Sequence, residues 1–186
     1  MNVYEAIMNR RTIRKFTQEP LKQDDLLKLV DCARMAAYPA NAQPLKFKIV
    51  TDKDTLDKIF PETKWAAMLS DGTPKENERP TAYIAIVGDT DIKKSFEVEA
   101  GAAATSIMLA ALEMGIASCW LGAIKREEIK QILGLDEKYE LPYIIALGYP
   151  AQKSKPVESL DGSTKYFMGD DEVLNVPKRS LEEILL

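Results

Sequence analysis

The sequence predicts an α+β fold, with a central mixed sheet flanked by helices. Three observations carry this expectation. The runs 83–87, Ala117–Leu121 and 143–147 are almost continuously apolar and β-prone, as strands covered on both faces require. Other segments place apolar residues at helical spacing, as Leu26, Leu29, Val30, Ala33 and Ala37 do. Helices and strands also follow one another without strict alternation, which points away from a regular βαβ succession. A length of 186 residues suits one domain with a proper core, and we expect residues 1–186 to form it, with 151–180 as an extended C-terminal arm.

In chain order, Asn2 with Glu5 three residues later is an N-cap pattern close to a capping box. A first helix should therefore run through Val3, Ala6, Ile7 and Arg10. A second begins near Lys22, with Asp24 and Asp25 well placed in its first turn. Residues 38–44 hold two prolines and an Asn and read as a loop. Residues 47–50 read as a strand, and 54–60 as a short helix. The stretch 61–80 is expected to be irregular, with a helical turn around 64–69. After the strand 83–87 comes a long helix, Glu97–Glu113, with Gly115 suited to the left-handed position past its end. Its small residues at 100–106 suit a central core helix, or a core helix that also packs against a second subunit. Arg126–Leu133 is a short helix stopped by Gly134, and Gly148-Tyr149-Pro150 ends the last buried strand. From Ala151 the chain is polar and loop-like, until 181–186 offer a final helical turn.

Composition removes several function classes. The 25 basic and 29 acidic side chains leave a net charge of −4, which argues against bulk binding to nucleic acid or to an anionic membrane. No histidine is present, so Ser-His-Asp and Cys-His nucleophile machinery and every His-containing metal site are excluded. Cys32 and Cys119 alone cannot build a four-cysteine metal site in one chain. The uncharged run 100–112 falls short of the roughly 20 residues of a membrane span, and no apolar stretch follows the charged N-terminal residues. With two free cysteines, these features lead us to expect a cytoplasmic protein.

Glycine-based nucleotide cradles are missing, because the sequence has neither G-x-G-x-x-G nor Gly-Lys-Ser/Thr. A bound phosphate would need side-chain cations. Arg10, Arg11, Arg14 and Lys15 put four positive charges into six positions of an acidic chain, with the Thr12 hydroxyl among them. Guanidinium forks grip phosphate oxygens in pairs, although a solvated basic helix end is the plain alternative. Lys178 and Arg179 form a second basic pair. The carboxamides of Asn41 and Gln43 could pair with a heteroaromatic edge, or could serve ordinary turn chemistry. Trp65 could stack on a planar substrate or fill the core. Cys119, inside an apolar strand without a neighbouring cation, reads as buried and inert.

Five segments together resemble the nitroreductase-like FMN-dependent oxidoreductases. Arg10-Arg11-Thr12-Ile13-Arg14-Lys15-Phe16 is similar to that family's opening R-R-S-x-R-x-F element, and Asn41-Ala42-Gln43-Pro44-Leu45-Lys46-Phe47 to its N-x-Q-P-[WL]-x-F loop. The stretch from Gly101 to Gly115-Ile116-Ala117-Ser118-Cys119-Trp120-Leu121-Gly122 resembles its central helix and the strand that follows. Ala146-Leu147-Gly148-Tyr149-Pro150 resembles its GYP strand end, and Pro177-Lys178-Arg179-Ser180-Leu181-Glu182-Glu183 its basic closing element.

The resemblance implies an FMN-binding fold in an intertwined homodimer, with NADH or NADPH as electron donor and a small-molecule substrate. It implies that Arg10, Arg11, Thr12 and Arg14, with Lys178 and Arg179, hold the phosphate and ribityl chain. Pro39, Ala40, Asn41 and Gln43 would reach the flavin from the other subunit, and Leu121 and Gly122 would present backbone groups to the ring. Catalysis would be ping-pong hydride transfer through flavin N5 to a flat electrophile such as a nitroaromatic or quinone, which needs neither nucleophile nor histidine base. Two departures stand out. Tyr38 occupies the place of a small serine, where it would gate or stack on substrate, and Thr105 or Ser106 replaces a helix Asn. The bulk of Tyr38 also allows a second reading, a flavin-handling protein without dedicated turnover.

Overall fold

A computed structural model describes residues 1–66, 68–69, 71–160 and 162–186. Helix α1, Val3–Asn9, opens with the expected capping box: the Asn2 side chain accepts from the Glu5 N–H, and the Glu5 carboxylate accepts from the Asn2 N–H. Helix α2, Gln23–Arg34, buries Leu26, Leu29 and Ala33. Strand β1, Leu45–Val50, leads to α3, Lys53–Ile59, which is capped by Asp52. Strand β2, Ala82–Asp89, is buried along its whole length. Helix α4, Glu97–Glu113, ends as expected before a left-handed Gly115, at φ 71°. Strand β3, Ala117–Leu121, and helix α5, Arg126–Leu133, precede β4, Tyr139–Gly148. Short strands β5, Ser154–Glu158, β6, Phe167–Met168, and β7, Leu174–Lys178, come before α6, Leu181–Ile184.

Four strands form the main sheet in the order β1-β2-β4-β3, and every pairing in it is antiparallel. The expected mixed pairing lies instead in a second sheet, β5-β7-β6, where β5 runs parallel to β7 and β6 antiparallel. The physical reason is that a strand buried on both faces shows the same apolar run whichever way its neighbour points. That second sheet also corrects the expectation of a loop-like tail after Ala151. β5 is polar and mostly exposed, β6 has only two residues, and β7 is five residues long with a proline in it, so they carry little period-2 signal. In the stretch 64–69, residues 64–66 and 68–69 are not helical, and Ala67 lies outside the described residues.

Alternation along β2 divides the core. Ala82, Ile84 and Ile86 point to a cluster formed with α2 and α4, whereas Tyr83, Ala85 and Val87 point to one formed with α3 and α5. Helices on both faces thus account for the near-continuous apolar strands. Among the described residues no helix is long and apolar enough to cross a membrane.

Candidate functional site

The basic segment 10–16 is neither helical nor free. Helix α1 ends at Arg10, whose N–H still donates to the Ala6 carbonyl. The next residues run extended along the sheet end: the Ile13 N–H donates to Ser118 on β3, the Arg14 N–H to the Gln152 side chain, and the Ala151 N–H to Lys15. Phe16, fully buried, bridges to Pro150 and anchors the segment. Gly148 makes that anchor possible, because a Cβ there would lie 2.9 Å from the Phe16 Cβ.

This path puts Arg10 and Arg11 in the wall of a cavity of about 480 Å³, together with Met108, Ser118 and Gln152. Arg10 and Thr12 also border an adjoining space of about 370 Å³, with Thr105, Leu109 and Trp120. Both arginines are half-buried, and among the described residues neither has a carboxylate within ion-pair distance. Arg11 donates to the carbonyls of Arg10 and Met8, while its Nε is buried without a partner. Burial lowers both guanidinium groups from their ordinary range, and the charge of Arg10 lowers Arg11 further. Two desolvated cations without a counter-charge are costly, and an anion in the cavity offsets that cost. Arg14 turns elsewhere, its guanidinium 5.0 Å from the centre of the Tyr166 ring.

The carboxamide loop is strained. Ala40, Asn41 and Gln43 have φ of 52°, 51° and 48°, a left-handed region that non-glycine residues occupy at a cost of about 1–2 kcal/mol each. Pro39, Ala40, Asn41 and Gln43 are all exposed, and Gln43 donates to the Asn41 carbonyl. Strain held at an exposed surface loop is a common mark of a ligand contact. Tyr38 is half-buried against the first core, its hydroxyl donated to the Ala33 carbonyl, and burial raises the phenol above its ordinary range, with Glu99 adding to the shift.

Leu121 is buried at the end of β3, and Gly122 follows with the Tyr143 ring 3.4 Å from where its Cβ would be. Lys178 and Arg179 are exposed beside the Ser180 cap of α6. Neither the 39–43 loop, nor Leu121 and Gly122, nor this pair enters the wall of the two cavities at Arg10. One chain thus gathers Arg10, Arg11 and Thr12 and leaves the remaining expected residues apart. Trp65, which the sequence left open between a planar substrate and the core, is seated in the second core and not against a substrate, stacked on Phe60 and donating its indole N–H to Thr63. Its neighbours Thr63 and Lys64 pair with Ile124 and Ala123, which draws the ring inward.

Three cavity residues escaped sequence reasoning. Trp120 was legible from alternation in β3, since Ala117, Cys119 and Leu121 face the second core and Trp120 the first. Thr105, noted in the sequence only as a replacement of a helix Asn, is an exposed polar position in the middle of α4. Gln152 had no local signal, because only the pairing of segments 13–17 and 149–152, distant in the chain, brings it to the arginines.

The chain matches the model of the Nitroreductase family over residues 7–149. It is 31% identical over 167 residues to an Archaeoglobus fulgidus protein named as an NADH dehydrogenase/NAD(P)H nitroreductase, spanning 84% of this chain and 90% of that protein. To the FMN reductase [NAD(P)H] of Bacillus subtilis it is 25% identical over 197 residues, spanning 91% of this chain and 76% of the relative. Among solved structures, a nitroreductase in complex with FMN from Desulfovibrio desulfuricans superposes with a TM-score of 0.72 at 25% identity, covering 100% of this chain and 96% of that one.

Proposed function

The chain belongs to the nitroreductase family, and on that premise we propose that it is an FMN-dependent NAD(P)H oxidoreductase with ping-pong turnover. The acceptor we propose is a flat electrophile, such as a nitroaromatic or a quinone. When bound, FMN supplies the hydride relay between the nicotinamide donor and that acceptor. The observation that carries the reading is the half-buried Arg10–Arg11 pair, without a carboxylate partner among the described residues, at the wall of a cavity. A phosphate dianion fits that charge and gives the orphaned Arg11 Nε an acceptor. Thr12 adds a hydroxyl to the same wall, while Trp120, edge-on to Tyr143 at 5.0 Å, closes the adjoining space with an aromatic surface.

The site is completed, in this reading, by a second copy of the chain. It supplies the 39–43 loop, whose Asn41 carboxamide is exposed, and it brings Lys178 and Arg179 within reach of the phosphate side. Exposed apolar side chains support such a homodimer: Val3, Tyr4, Ile7 and Met8 on α1, with Leu181, Ile184, Leu185 and Leu186 at the other terminus. We take residues 1–186 as one domain and place the protein in the cytoplasm, where Cys32 and Cys119 stay free thiols. Tyr38 is packed and hydrogen-bonded onto its own helix α2, which weakens the alternative of flavin handling without turnover.

An absorption spectrum tests the reading. Purified protein incubated with FMN should stay yellow after gel filtration, and NADH or NADPH should bleach it within ordinary turnover time. Protein that remains colourless would falsify it.

A further inference from the structure

A cavity of about 680 Å³ lies on the α3 side of the sheet, away from Arg10 and Arg11, between α3 and the segment that leads into β2. Arg79, Pro80, Thr81 and Tyr83, at the entry to β2, all line the cavity. Three of them carry a buried polar atom with no hydrogen-bond partner among the described residues: Arg79 Nε, Thr81 Oγ1 and the Tyr83 hydroxyl. Tyr83 is only 1% exposed, so water does not compensate its hydroxyl freely. Leaving three such groups unpaired is unfavourable, and native interiors rarely do it without a purpose.

Their chemistry points to one kind of occupant. The Arg79 guanidinium carbon lies 4.2 Å from the centre of the Phe60 ring, and its Nη1 is 3.5 Å from Asp57, which also pairs with Lys53 at 2.7 Å. One carboxylate thus serves two cations, and the Nε edge of Arg79 is left unspent. Glu76, the other acid of the wall, is exposed at the rim. Leu56 and Phe60 add apolar surface to the wall. The volume falls within the range of small-molecule sites. We propose that this cavity binds a small carboxylate with a short apolar or aromatic body, its oxygens taken by Arg79 Nε and the Thr81 and Tyr83 hydroxyls once those buried side chains turn toward it.

Protein saturated with FMN, titrated with 4-fluorobenzoate and followed by fluorine NMR and flavin absorbance, tests this. Wild type should bind the probe without a change in the flavin spectrum, and neutral 4-fluorobenzamide should bind at least ~10-fold more weakly. Tyr83→Phe and Arg79→Gln should each weaken binding by at least ~10-fold, whereas Arg11→Gln should leave it unchanged. Tyr83→Phe keeps the ring and deletes an unpartnered hydroxyl, so its melting temperature without probe should not fall. The proposal is overturned by failure of wild type to bind up to about 10 mM probe, by equal affinity in the Tyr83 and Arg79 variants, or by a flavin spectrum that shifts in step with saturation. The last result places the probe at the flavin, and a protein that holds no flavin at all fails the oxidoreductase reading without touching this one.

Discussion

Replacing Arg11 by Gln separates an anion site from a merely structural arginine. In the free protein the guanidinium donates to the carbonyls of Arg10 and Met8 and carries a buried Nε without partner. Arg11→Gln therefore gives up two hydrogen bonds of about 1 kcal/mol each, and in exchange relieves burial of a cation beside Arg10. These nearly cancel, so the apoprotein should lose ~1 kcal/mol or less. With FMN the balance differs, because a charge-assisted contact of about 1.5–3 kcal/mol disappears, which is about 10- to 150-fold in Kd. Riboflavin lacks the phosphate, and its Kd should move by less than ~2-fold. Fluorescence titration with both flavins reads this difference, and melting with and without saturating FMN reads it again as a holo-specific loss. An FMN Kd that stays put, or one that weakens in parallel with riboflavin, refutes the assignment of Arg11 to the phosphate.

Other outcomes follow from the same geometry. Asn41→Ala should lower turnover by removing the carboxamide donated across the dimer, and mixed dimers of an Asn41→Ala chain with an Arg11→Gln chain should regain about half the activity of wild type, because one of the two sites is then intact; no recovery in those dimers would show that Asn41 acts in its own subunit. Gly148→Ala should cost about 1–3 kcal/mol in denaturant melts and loosen FMN retention, because its Cβ collides with Phe16, which anchors the arginine segment; an unchanged midpoint would mean that segment is not held there. Burial pushes the Cys119 thiol from 9.0 up to about 11, so at pH 8 a thiol reagent should label exposed Cys32 and spare Cys119. A raised folded value means the unfolded thiol ionises first. Stability should then fall as pH rises from 9.0 towards about 11, by roughly 3 kcal/mol at most, and Cys119→Ala should flatten that decline.

The arginine cluster was readable in the chain itself, because four cations in six positions of an acidic protein call for a partner. The capping box at Asn2, the left-handed Gly115 and Gly134 and the buried strands were equally local, since caps, turns and period-2 burial depend on neighbours within a few positions. Gln152 and Trp65 were not. The first reaches the arginines through the pairing of distant segments, and the second turns inward because Thr63 pairs with Ile124.

Sequence alone determined which side chains could carry the chemistry: guanidinium groups and carboxamides, with no histidine and no glycine cradle. Only the tertiary structure decided that Arg10 and Arg11 are half-buried and lack a counter-ion among the described residues, that the main sheet is antiparallel, and that Trp65 belongs to the core. Charge, backbone preference and periodicity are written residue by residue. Desolvation, strand direction and orphaned donors arise from segments far apart in the chain, and they exist only once those segments meet.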